Sequence, residues 1–171
     1  MPANVSGCPA SCPTLLPDRL RLADYRWELD GHWRALRVGH PADELEAAFP
    51  EARGFGLLSA ARPGYANDPG PAEAEADRAL QRALDRLGLH YRPACAAAGN
   101  RTWKAYGWLV VDPEHAAFDT LTRTFGQFGS LLWERGQPVR LRLRGARPAT
   151  GAHPDIDWVD PAGRAIPPGN P

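Results

Sequence analysis

Residues Gly54 to Ala61, "GFGLLSAA", give an extended chain no polar face. Successive side chains of a strand point to opposite sides of its sheet, so this run has to be covered on both. A strand inside a sheet with packing on each face meets that demand, and the next segment supplies part of the cover. Ala72 to Leu87 places Ala76, Leu80, Leu84 and Leu87 on one helical stripe, with Glu75, Arg78, Arg82 and Arg86 away from it. Gly88 follows as the C-terminal cap. Between strand and helix runs a loop rich in proline and glycine.

The remaining patterns fill in the frame. "DYRWEL", "DG" and "HWRALRVG" predict a hairpin, because Tyr25, Trp27 and Leu29 alternate with charges and Asp30-Gly31 suits a type I′ turn. "HPADELEAAF" predicts a short helix with Pro41 at its first position and Leu45 and Phe49 on one face. "LHYRPACA" and "KAYGWLVVD" pair around Gly99-Asn100. Asp112 then caps a helix with Pro113 first, Phe118, Leu121, Thr122 and Phe125 inward, and Gly126 at its end. "GSLLW" reads as a buried strand, and "PVRLRLRG" turns Val139, Leu141 and Leu143 inward against Arg140, Arg142 and Arg144 outward. The order ββαβαββαββ predicts an α+β fold, a single mixed β-sheet with about three packed helices. Right-handed crossovers are expected wherever a helix links parallel neighbours.

A chain of 171 residues sustains one domain and a core without disulfides or metal. The expected boundaries are a flexible arm over 1–19, the α+β domain over 20–145, and an irregular Pro/Gly-rich tail over 146–171. In the tail only Ile156, Trp158, Val159 and Ile166 are able to pack. The 20 basic and 20 acidic residues cancel, so no global field draws the chain to nucleic acid or an anionic membrane. No apolar run approaches the roughly 18 residues that span a bilayer, so no membrane partner is expected. The opening residues lack a basic leader followed by an apolar stretch, and the three cysteines Cys8, Cys12 and Cys95 fit a reducing compartment. Cytoplasmic location is the expectation.

Four stretches carry a family resemblance: "LLSAARP", the acidic-led helix ending "LDRLG", "RTWKAYGWLVVD" and "TFGQFGSLLW". Together they resemble the bacterial domain of unknown function family 3293, over roughly Tyr25 to Trp133, with Phe125 to Gln127 the most specific step. The chain departs from the family's pattern at Arg62-Pro63, where an Asn-Pro step is usual, and at Glu73 and Lys104, where asparagine and glutamate are usual. The resemblance implies an architecture and no activity.

The candidate site residues follow from position. Arg62, Tyr65 and Asn67 are polar groups between the end of a buried strand and a helix N-terminus, a place that favours anions. Glu73, Glu75 and Asp77 in the first turns of that helix repel phosphate, and neither GxxxxGK[ST] nor GxGxxG is present, so no nucleotide cofactor is expected. Gln127, after a helix-ending glycine, suits capping of carbonyls, bonding to a strand edge, or fixing a ligand. Cys8, Cys12, His90 and Cys95 are spaced too loosely for structural zinc, and no metal is expected. "HPDID", His153 to Asp157, reads as a solvated turn. Ser59 lacks the glycine of a nucleophile elbow, and His40, His90 and His115 are scattered. Core packing accounts for the tryptophans without a cofactor.

The leading expectation is therefore a non-enzymatic accessory domain that binds a small molecule or a protein partner, its site formed by the 61–70 loop, the helix start and Gln127. One alternative is an enzyme acting on a small polar substrate, with Glu73, Glu75 or His90 as acid or base. The other is weak nucleic-acid binding through Arg140, Arg142 and Arg144, with Arg135 and Arg147 nearby; a charged edge strand explains the same pattern.

Overall fold

A computed structural model of the chain describes residues 15–60, 70–149 and 152–160. Four helices and eight strands alternate along it: α1 (Leu15–Arg21), β1 (Asp24–Leu29), β2 (His32–Leu36), α2 (Asp43–Ala48), β3 (Gly54–Leu58), α3 (Pro71–Arg86), β4 (His90–Ala97), β5 (Lys104–Val111), α4 (His115–Thr124), β6 (Gly129–Glu134), β7 (Leu141–Arg144) and β8 (Ile156–Val159). Between β1 and β7 the order is the expected ββαβαββαββ. The strands form one mixed sheet in the order β2-β1-β4-β5-β3-β6-β7-β8, antiparallel except for the β7–β8 pair. The fold is α+β.

The apolar run at 54–58 takes the interior position its composition requires. β3 lies between β5 and β6, antiparallel to both. Since β4 is antiparallel to β5, β3 and β4 run the same way with β5 between them, as β5 and β6 do with β3 between them. The segment from β3 to β6 is thus two split βαβ units, the ferredoxin-like βαββαβ arrangement. Each helix joins parallel strands that are not neighbours, so one strand always fits between.

The two faces of β3 feed different cores. On the outer face, Leu58 packs with Leu80 and Leu84 of α3, Phe118 and Leu121 of α4, and Val110 and Leu132. A Cβ on Gly56 would collide with the Phe118 ring, so only glycine lets α4 sit this close. On the inner face, Phe55 and Leu57 join residues from all eight strands, with Leu20 from α1 and Leu45 from α2. Trp27, Phe49, Phe55 and Trp133 form a chain of ring contacts there, with centroids 5.6–6.4 Å apart. The sheet curls around this core. The Gly39 N–H donates to the Val139 carbonyl (2.8 Å) and the Val139 N–H to that of His40 (2.9 Å), so the chain leaving edge strand β2 meets the chain entering β7.

Several local expectations are corrected. Asp112 does not cap α4; it has φ 51° and its Oδ1 accepts from the Arg53 and Gly54 N–H groups at 2.5 and 3.1 Å, fixing the start of β3. Glu114 takes the N-cap position of α4. Pro41 lies ahead of α2, whose N-cap is Ala42. Leu87 is 49% exposed, because α3 ends at Arg86 and Gly88 (φ 64°) turns the chain away. α1 starts at 15, and β8 falls inside the stretch read as irregular. Its Ile156 and Trp158 enter the inner core, so four residues of alternating pattern suffice in a segment whose average composition is that of a loop.

The arginine strand is consequently not an edge. Arg140 donates from Nε and Nη2 to the two carboxylate oxygens of Asp157 on β8, both at 2.7 Å. Arg142 does the same to Asp119 of α4, at 2.8 and 2.7 Å, with both side chains nearly buried. Arg144 donates to Thr122 Oγ1 at 2.9 Å. Arg135 donates to the Glu46 carbonyl of α2 and to the Phe49 and Ala52 carbonyls that follow the helix. These guanidiniums bolt helices and β8 to the sheet. "HPDID" is likewise docked: Asp157 holds Arg140, and a Cβ on Gly39 would come within 2.5 Å of Asp155 Oδ2.

Two substitutions test this architecture in urea unfolding. Asp119→Ala strands the Arg142 charge and should cost about 3–5 kcal/mol. Gly56→Ala should cost about 1–3 kcal/mol by forcing α4 outward. An unchanged midpoint for either would contradict the packing described.

Candidate functional site

The inner face holds a small cavity at the C-terminal end of β3. Small side chains make the space: Ala96 on β4 stands opposite Ala105 on β5, with Gly107 beside them and Gly129 on β6. Larger groups close it, among them Leu20, Tyr25, Trp103 and Phe128. Its volume is about 40 Å³, room for a few waters or a small polar group.

One polar clasp lies on the cavity wall. Gln127 Oε1 accepts from the Ser59 N–H (3.2 Å) and from Ser59 Oγ–H (3.0 Å); the two residues are only 6% and 9% exposed. Ser59 lies one residue past the end of β3, and the glutamine amide supplies the acceptor for its N–H there. The backbone of α4's end brings Gln127 to this place: Gly126 has φ 66°, and the Gln127 N–H donates to the Thr122 carbonyl at 2.8 Å. Those bonds satisfy the helix end with backbone donors, which leaves the side chain for the strand. Of the roles open to Gln127 from sequence, the bond to a strand end is realised.

Tyr25 is the titratable side chain in the described lining. Its hydroxyl donates to the Leu20 carbonyl at 2.6 Å, tying α1 to β1, and burial raises its pKa well above the ordinary value of 10.

Arg62, Tyr65 and Asn67 lie outside the described residues, as do Cys8 and Cys12. The segment containing the first three leaves the described chain at Ala60, next to the clasp, and returns at Gly70, the N-cap of α3. Sequence reading did not anticipate Ser59 as the partner of Gln127, or Tyr25 and Trp103 as walls. The signal available was the run of alanines and glycines at facing positions on neighbouring strands, which marks space rather than chemistry. None of the acid–base candidates Glu73, Glu75 and His90 is in the described lining. His90 pairs with Val111, which pairs with Phe55 at the opposite end of β3, and its ring stacks edge-on to Phe49. Glu75 binds Arg78 and Arg82, which hold its carboxyl below the usual range. Among the described residues, no three histidine, cysteine, aspartate or glutamate side chains converge as a metal site, and no helix is long and apolar enough to cross a membrane.

The family model Protein of unknown function (DUF3293) matches residues 60–128. The resemblance expected from sequence holds over that segment. No curated protein and no solved structure matches the chain. The matched segment begins one residue after Ser59 and ends one residue after Gln127, so the clasp closes it at its base. Between its ends lie α3, the β4–β5 hairpin and α4.

The raised Tyr25 pKa gives a signed pH effect. Between pH 10 and the native value the unfolded chain gives up this proton while the folded chain keeps it. Stability is fully present below about pH 10 and falls as pH rises through that window. Urea midpoints taken from about pH 9 to about pH 11 should drop for the wild type and drop less for Tyr25→Phe. Equal slopes would contradict a buried, neutral Tyr25.

Proposed function

We propose that the protein is a non-enzymatic accessory domain of the bacterial cytoplasm that holds a small polar ligand or a partner's polar side chain at the clasped end of β3. Arg62, Tyr65 and Asn67 are its proposed contacts, with Gln127 as the fixed wall. The observation that carries this reading is the buried Ser59–Gln127 pair on the wall of a cavity, one residue before the described chain stops at Ala60.

The chemistry of the lining supports binding over catalysis. An enzyme of the expected kind needs an acid or base in reach of its substrate. Glu75 is engaged by two arginines on the surface of α3, and His90 lies at the far end of the strand.

Native mass spectrometry of protein freshly purified from a bacterial cytosol, beside its denatured mass, tests the proposal. A retained small-molecule increment that Arg62→Ala reduces, at unchanged melting temperature, is the expected result. A bare monomer, or an increment indifferent to Arg62→Ala and Tyr65→Phe, would contradict it.

A further inference from the structure

A larger concavity lies on the outer face of the sheet; Trp103 is the one described residue it shares with the cavity beside the clasp. Helix α3 covers that face as far as Tyr91 and Trp108, whose rings meet edge-on at 5.1 Å. Cover ends beyond them: Tyr106 is 46% exposed on β5 and Trp33 44% exposed on β2. Between these strands β4 presents Cys95 and Ala97 outward and continues into Ala98 and Gly99, all small. The result is a groove of about 410 Å³ with a low floor on β4, walled by Asp24, Arg26 and Trp33 on one side and by Arg101, Trp103 and Lys104 on the other. That volume falls within the range of about 300–1,000 Å³ typical of small-molecule sites.

The charges in this groove do not balance. Among the described residues of its lining Asp24 is the single carboxylate, and it is taken by Arg26 at 3.0 Å. Arg101 and Lys104 form no ion pair among the described residues, and Lys104 Nζ rests 4.4 Å above the Tyr106 ring. Arg101 is held in place by the hairpin tip: it has φ 58°, its N–H donates to the Ala98 carbonyl at 2.8 Å, and Asn100 Oδ1 accepts from Thr102 just beyond it. Two uncompensated cations on one wall thus face a half-exposed indole on the other. Cations of this kind bind a phosphate dianion by charge-assisted hydrogen bonds, and an indole face stacks on a planar ring. Trp33 stands on β2 and Lys104 on β5, three strand spacings or about 14 Å apart, a span suited to a ring and a phosphate joined through a sugar.

We propose that this groove binds a free nucleotide-class molecule, a planar heteroaromatic ring carrying a phosphate, with the phosphate between Arg101 and Lys104 and the ring against Trp33. The site shares no polar contact with the clasp and stands or falls separately from it.

Titration of the purified full chain with AMP, followed by tryptophan fluorescence and calorimetry, tests the assignment. Saturable binding with quenching is expected. Arg101→Gln and Lys104→Gln should each weaken it about tenfold or more, and Trp33→Leu should remove the quenching. Inorganic phosphate should compete. These side chains lie at the surface, so unchanged melting temperatures should show that the variants are folded. Absence of AMP binding at millimolar concentration would overturn the proposal, as would binding that ignores all three substitutions. Binding of an oligothymidylate of about ten nucleotides in preference to AMP would also overturn it, by making the face a strand-binding surface.

Discussion

The structure depends on β3 being covered on both faces. A five-residue strand without a polar side chain is stable in water only inside a sheet, and its neighbours β5 and β6 come from later in the chain. Their arrival requires the two helical excursions α3 and α4, and right-handed crossovers that start from antiparallel strands and run to opposite sides bring both helices to the same face. The outer core is the contact between those helices and the sheet. The inner core is what remains on the other side, closed by curl, by two short helices and by the return of β8.

Arginine chemistry then secures what apolar packing leaves loose. β7 turns Leu141 and Leu143 to the inner core, while Arg142 within it and Arg140 just ahead of it meet carboxylates of α4 and β8 in bidentate pairs. The planar guanidinium fork suits this task better than an ammonium would. Lys104, the chain's single lysine, lies in the outer groove and takes no part in this bracing.

Much of this was legible in the sequence, and the reason is local consistency. The 2.0 and 3.6 periodicities at Tyr25–Leu29 and Ala76–Leu84 left little choice of element, and Asp30-Gly31 and Gly126 have the positive φ their turns require. What was not legible was set by distant partners. Asp112 is a reasonable helix cap by spacing, but residues 58 and 59 positions away claim its carboxylate. Arg140 and Arg142 look solvent-facing by alternation, yet their carboxylate partners lie 17 and 23 positions off in chain segments whose placement only the fold decides. The outer groove was hidden for the same reason. Its walls come from β1, β2 and the β4–β5 hairpin, and the alanines and glycine of its floor carry no chemical signal of their own.

The central claim is that Gln127 completes the sheet where β3 ends and so closes the segment between Ser59 and Phe128. Amide hydrogen exchange of Ser59, measured by NMR in the wild type and in Gln127→Leu, tests it most directly. The account predicts that the Ser59 N–H exchanges slowly, like the amides of β3, and that the substitution speeds it by orders of magnitude while Phe55 and Leu57 stay protected. Rapid exchange of Ser59 in the wild type, or the same slow rate in both proteins, would contradict it.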